Sequence, residues 1–288
     1  MASTEAKRPA RFVTSAVLVL LVIAGLALAA FYSTGGRFFI IQTPSMGDYA
    51  PVGTLIASTP TTLDQVQKGD TLLFHPPASE ETYFHRVVEV LPEGGLKTQG
   101  DINGTIDPWT VEAENIIGKE SLNVEAIGFL IRVLPFLIVA GFALQLITRY
   151  FLESLYRFPI RVFGWSLLVS IAAYISRPFF NAQLISQTAV DGVSDTTFVA
   201  TGVFGVQGSA VKGTTAYSNP GELATVTSDY MDKDKLFSVV FSPYLHTIDW
   251  IVIVSFVLLP LILCVGYAIR RYRVESKELT EEPVAVTA

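Results

Sequence analysis

The chain has 288 residues, half of them hydrophobic, with 20 basic against 26 acidic side chains and a formal net charge of −6. That apolar share with so few charges is high for a soluble protein, and the acidic balance without a basic patch argues against a nucleic-acid partner. A single cysteine, Cys264, excludes an internal disulfide framework, and three histidines are too few and too scattered for a metal cluster.

Residues 1–11 close on the basic cluster Lys7-Arg8-Pro9-Ala10-Arg11 and are expected in the cytoplasm. Residues 12–32 then run without a charge, and a hydrocarbon core takes about 20 residues to cross. A secretory signal peptide has the same basic flank, and Ala27-Leu28-Ala29 resembles a cleavage site. The run is longer than the usual core of about 7–15 residues, so we read an uncleaved anchor.

Residues 33–125 form a polar, acidic, extracytoplasmic β domain. Its strands are read at Thr54-Leu55-Ile56-Ala57, Thr71-Leu72-Leu73-Phe74, residues 83–91 and Ile116-Ile117. Pro76-Pro77, Pro92-Glu93-Gly94-Gly95 and Asn103-Gly104 punctuate them, and the second of these joins 83–91 to 96–99 as a hairpin.

Residues 126–148 are a second span, with Arg132 able to snorkel and Pro135 tolerated inside it. Residues 149–161 supply a basic cytoplasmic turn, and residues 162–177 return as a short third span. Residues 178–249 alternate Thr, Ser, Val and Gly, as in Thr196-Thr197-Phe198-Val199-Ala200-Thr201 and Leu236-Phe237-Ser238-Val239-Val240-Phe241. They read as a second small β-rich extracytoplasmic module. Residues 250–269 are a fourth span, with Trp250 at its outer end and Arg270-Arg271-Tyr272-Arg273 at its inner end. Residues 270–288 are a cytoplasmic tail.

The polar segment between the first two spans holds Ser, His and Asp in series. Thr43-Pro44-Ser45-Met46-Gly47 comes first, then Phe84-His85-Arg86-Val87, then the stretch from Gly100-Asp101 to Asp107. A hydroxyl nucleophile needs a base within hydrogen-bond reach and a third group to orient that base. Histidine suits the base role because the residue type titrates near neutral pH, whereas Arg86 stays protonated. Asp101 and Asp107 both stand as orienting groups, and Asp70 reads as a turn residue.

Together these residues resemble signal peptidase I in its Ser-His form, known from archaea, the endoplasmic reticulum and some Gram-positive bacteria. Ser45-Met46 is similar to that family's nucleophile box, and the run from Lys68 to Phe74 to the strand after it. His85-Arg86-Val87 is similar to the base box, and Gly100-Asp101 through Asp107 to the acidic box. The likeness covers roughly residues 12–124. It departs where the family reads Ser-Gly-Ser-Met-x-Pro: here Thr43-Pro44 precede Ser45 and the next proline is Pro51, which implies a rearranged loop.

The resemblance implies Ser45 as nucleophile, His85 as base, Asp107 as its partner and Asp101 as a brace for the loop. Thr43 and the Ser45 N–H would face the oxyanion, Thr43 being also readable as a strand-end residue. The fold expected is an integral membrane protein: an all-β extracytoplasmic peptidase domain, four transmembrane helices and the second β-rich module. The function expected is removal of signal peptides from preproteins at the outer face of the cytoplasmic membrane, without metal or cofactor. Membrane lipid and secretion machinery are the further partners. The alternative is an inactive peptidase-like protein that binds or assembles exported surface proteins, and a narrower variant is a peptidase whose 181–247 region recruits a few substrates.

Overall fold

The computed structural model describes residues 7–176, 179–230 and 238–281. It separates into two compact units, Met1–Ala126 and Ile127–Ala288. In the first, helix α1 (Lys7–Ser33) leads into six strands: β1 (Arg37–Ile40), β2 (Leu55–Thr59), β3 (Thr71–Phe74), β4 (Tyr83–Val90), β5 (Leu96–Gln99) and β6 (Ile116–Val124). They make one antiparallel sheet in the order β1-β2-β6-β3-β4-β5. The chain turns from α1 into β1 at Gly35, where φ is +86°. A Cβ on the next residue, Gly36, would lie 2.5 Å from the Phe31 ring.

Alternation along the strands sends side chains to both faces of this sheet. Leu73 and Phe84 pack on one face with Ile41, Met46, Ala50 and Ile56. Leu72, Phe74 and Val87 pack on the other with Val66, Leu96 and Val111. Strand β3 is therefore buried throughout. Each of its large apolar side chains contributes about 1.5–3 kcal/mol relative to exposure. Met46 is 1% exposed, so the loop that carries Ser45 is pinned by the core residue next to it.

The second unit contains helices α2 (Ile127–Phe151), α3 (Ser154–Ser176) and α4 (Thr247–Glu281). Between α3 and α4 lie strands β7 (Ala182–Val190), β8 (Val193–Ala200), β9 (Gly205–Ala210), β10 (Thr215–Ser218), β11 (Leu223–Ser228) and β12 (Val239–Tyr244). Two three-stranded antiparallel sheets, β11-β8-β7 and β10-β9-β12, enclose Phe198, Ala200, Val206, Ala224 and Val226. A Cβ on Gly208 would lie 2.5 Å from the Phe198 ring, so glycine is what lets the two sheets close on that phenyl. Helices α2 and α3 approach in the same way, with Gly141 against Trp165 and Gly164 against Leu144.

The four-span architecture expected from the sequence does not hold. Among the described residues two helices are long and apolar enough to cross a membrane, Ile127–Phe151 and Thr247–Val274. The apolar helix described in α1, Leu18–Ser33, is shorter. The third expected span fails for a physical reason. Helix α3 starts at Ser154, inside what was read as a cytoplasmic turn, and so includes Arg157, Pro159 and Arg161. Arg157 Nε donates to Leu152 O at 2.9 Å, and Arg161 Nε donates to the buried Thr148 Oγ1 of α2 at 2.7 Å. These bonds fold α3 back on α2 as a polar-tipped hairpin. Among the described residues the chain is thus a mixed helix-and-sheet protein with two candidate spans. Parts of the sequence reading fall outside the described residues: residues 1–6 and 282–288 of the termini, Arg177, and Leu236-Phe237 of the strand read there.

Candidate active site

His85 is on β4, paired across to Leu72 of β3, and is 4% exposed. Its Nδ1 lies 2.7 Å from Asp107 Oδ2, both side chains being buried. An ionised carboxylate only accepts, so Nδ1 carries the hydrogen and Nε2 keeps its lone pair. Nε2 makes no hydrogen bond among the described residues, yet it is not one of the sealed polar atoms without a partner, so it keeps access to solvent. Thr98 Oγ1 donates to the same Asp107 Oδ2 at 2.7 Å, and the Asp107 N–H donates to Thr98 O at 2.9 Å. The carboxylate is therefore fixed by main chain and side chain together. The Tyr83 ring stands edge-on to the imidazole at 5.6 Å and to Trp109 at 5.3 Å, so aromatic rings flank the pair.

Asp101 takes no part in that pair. Its two oxygens accept from Arg86 Nε and Nη2 at 2.8 and 2.7 Å, a bidentate bridge. The sequence reading had Asp101 bracing the loop through its own backbone; its carboxylate instead binds the Arg86 side chain. The Asp101 carboxylate raises the Arg86 guanidinium above its ordinary value, against the effect of burial. Arg86 also donates from Nη1 to Gly69 O at 3.0 Å and lies over the Tyr49 ring, 4.5 Å from its centroid. Tyr49 in turn donates to Glu120 Oε2 at 2.8 Å, and Thr71 donates to the same oxygen. Burial, then the bond to Glu120, pushes the Tyr49 phenol up. Through Tyr49 this network reaches the loop that carries Ser45.

Ser45 sits half-buried in a turn in which the Gly47 N–H donates to Pro44 O at 2.8 Å and Gly47 has φ +58°. The departure at Thr43-Pro44 thus falls in a turn closed by its own main chain. Ser45 O accepts from the Ile102 N–H at 3.1 Å, and a Cβ on Gly100 would lie 2.6 Å from it. Gly100 directly follows Gln99, which pairs with Arg86, the neighbour of His85. Main-chain contacts therefore hold Ser45 beside the acidic stretch. Its Oγ is 3.5 Å from Thr43 Oγ1, long for a hydrogen bond. No hydrogen bond joins Ser45 to His85 among the described residues. The structure brings His85 to Asp107 and Ser45 to the Gly100–Ile102 turn, and leaves the two halves unbridged.

Thr98 was the residue missed from the sequence. Its signal was positional, since it faces Val87 on the hairpin already read and lies nine residues before Asp107. Asp70 accepts from the Gln67 N–H and from Lys119 Nζ, each at 2.8 Å. Burial pushes its carboxyl up, but these two bonds outweigh burial and hold it below the ordinary carboxylate value. With the folded value below the unfolded one, the contribution is full above about pH 4. It is lost as pH falls through the folded value. Asp70→Asn should accordingly flatten the acid limb of the stability curve below that pH. Thermal melting at a series of pH values measures this, and an unchanged acid limb contradicts it.

No protein-family model matches the chain, and no curated protein matches it in sequence.

Proposed function

We propose that this chain is a membrane-bound serine endopeptidase that removes signal peptides from exported preproteins. The observation that carries the reading is the buried 2.7 Å bond from His85 Nδ1 to Asp107, which leaves the Nε2 lone pair without a hydrogen bond among the described residues. Ser45 Oγ attacks the scissile carbonyl while its proton passes to His85 Nε2. The C–N bond then breaks, the same proton goes to the leaving amine of the mature protein, and an ester joins Ser45 to the signal peptide. Water, deprotonated by His85, hydrolyses that ester. Thr43 Oγ1 and the Ser45 N–H stand beside the carbonyl oxygen as negative charge grows on it. Ser45 and His85 close their hydrogen bond with substrate in place, as catalytic bonds that are long in free enzymes commonly do.

The catalytic domain lies at the outer face of the cytoplasmic membrane in this reading. Support comes from α2, whose last turn is basic through Arg149, while the β domain precedes its other end. Preproteins, membrane lipid and the secretion machinery are the partners.

One observation favours a second reading, a peptidase-like protein that binds exported surface proteins without cutting them: Ser45 Oγ faces Thr43, not His85. Cleavage of a preprotein in detergent decides between the two. Wild type should release the mature protein and Ser45→Ala should not. Binding without cleavage by wild type would establish the second reading.

A further inference from the structure

The second β module joins its helices at one end. Strands β7, β9 and β11 start there and β8, β10 and β12 finish there, as the pairings Ala182↔Ala200, Leu223↔Val199, Ser218↔Val206 and Tyr244↔Gly205 require. The Asp191-Gly192 turn between β7 and β8, with φ +51° and +83°, marks the opposite end.

Aromatic side chains collect at the helix-bearing end. Phe179 and Phe180 pack on Phe204 with centroids 5.8 and 5.4 Å apart, and the Phe204 N–H donates to Phe179 O at 3.0 Å. Tyr217 and Tyr244 pack at 4.5 Å. These rings are not hidden: Tyr217 is 53% exposed and Trp250, in the first turn of α4, is 56% exposed. Only Leu245 and His246 separate Tyr244 from α4, and the His246 N–H donates to Asp249 Oδ2 at 2.8 Å as a cap. So short and capped a link holds the aromatic end at the mouth of a helix apolar enough to span a membrane, with its apolar window unburied.

We infer that this end of the module is seated in the headgroup layer of a lipid bilayer, with α4 continuing into the hydrocarbon. Rings with an apolar body and a polar tip concentrate at that depth, and Tyr217 and Trp250 are the most exposed rings here, with Phe179 and Phe180 exposed beside them. Continuity with α4 names the occupant as lipid. The described charges at this end, Glu222 and Asp249, are both acidic, so the seat needs no anionic headgroup. This inference stands on the second unit alone and is independent of the proposed peptidase activity.

Spin-label depth measurement on the full chain tests it. In a Cys264→Ser background, labels are placed by Tyr217→Cys, Phe180→Cys and Leu223→Cys, the last retaining every aromatic ring. Val190→Cys, 68% exposed beside the far turn, is the reference. In phosphatidylcholine vesicles the three near labels should collide with oxygen in preference to a water-soluble nickel chelate, several-fold more than the label at 190. Near labels as open to the chelate as the label at 190 would overturn the inference. So would near labels shielded from both reagents, which would mean that protein covers this end. Leu223→Cys keeps the test decisive if loss of a ring disturbs folding.

Discussion

Asparagine at position 107 is expected to lower preprotein cleavage by about 10⁴-fold while leaving the fold intact. The carboxylate can only accept, which fixes the hydrogen on His85 Nδ1 and the lone pair on Nε2. An amide of the same shape can turn its NH₂ toward the ring. Thr98 does not prevent this, because a hydroxyl can switch from donor to acceptor. Nδ1 then accepts, Nε2 carries the hydrogen, and the nitrogen meant to take the proton of Ser45 is already protonated. Thr98→Val separates tautomer from packing. It removes one bond to the Oδ2 of a carboxylate at a cost of about 1.5–3 kcal/mol in stability, but leaves Asp107 to select the tautomer, so activity should fall far less. Asp101→Asn breaks the Arg86 bridge and also spares the tautomer. Single-turnover cleavage rates alongside thermal melting give both readouts. A near-normal rate for Asp107→Asn would remove His85 from the base role.

What could be read from the chain was local. Alternating apolar residues around a Pro-Glu-Gly-Gly turn marked the hairpin now seen as β4 and β5, and the order Ser45, His85, Asp107 marked one polar segment. What could not be read depended on partners distant in sequence. Strand β6 showed only Ile116-Ile117 as strand-like, because the polar run that follows looks like a loop. In the structure it is an interior strand between β2 and β3. Lys119 meets Asp70, and Glu120 meets Thr71 and Tyr49, 49 and 71 residues away. Strand β1, with Arg37 at its head, passed unnoticed for the same reason, since its hydrogen bonds all go to β2.

Helix α3 illustrates the opposite error. Basic residues after an apolar stretch were read as a turn by the positive-inside tendency. Arginine is also a good helix former, and Arg161 finds a buried threonine hydroxyl on α2. A partner one helix away turned a charge signal for topology into a helix-packing contact. No rule of periodicity distinguishes these cases from one strand of sequence, because the deciding atom belongs to the neighbouring helix.

Gly100→Ala is expected to lower cleavage by about 10²-fold without unfolding the domain. A Cβ at Gly100 would meet Ser45 O at 2.6 Å and Asn103 Nδ2 at 2.7 Å. The asparagine amide ends a flexible side chain and can swing aside. The Ser45 carbonyl is main chain, held by the Ile102 N–H on one side and by the buried Met46 on the other. Relief of the clash therefore displaces the Ser45 peptide, and an error near 1 Å in a reacting group can cost about 10²-fold in rate. The accompanying overpacking should cost about 1–3 kcal/mol. Gly104→Ala is the matched control, four residues on in the same loop, where a Cβ meets nothing within 4 Å. It should leave the rate unchanged, which shows that loss of glycine flexibility in this loop is not itself the cause. Steady-state cleavage with a melting curve for each variant makes the comparison. If Gly100→Ala stays folded and cleaves at the wild-type rate, the position of the Ser45 carbonyl does not govern catalysis, and the nucleophile must be sought at another hydroxyl.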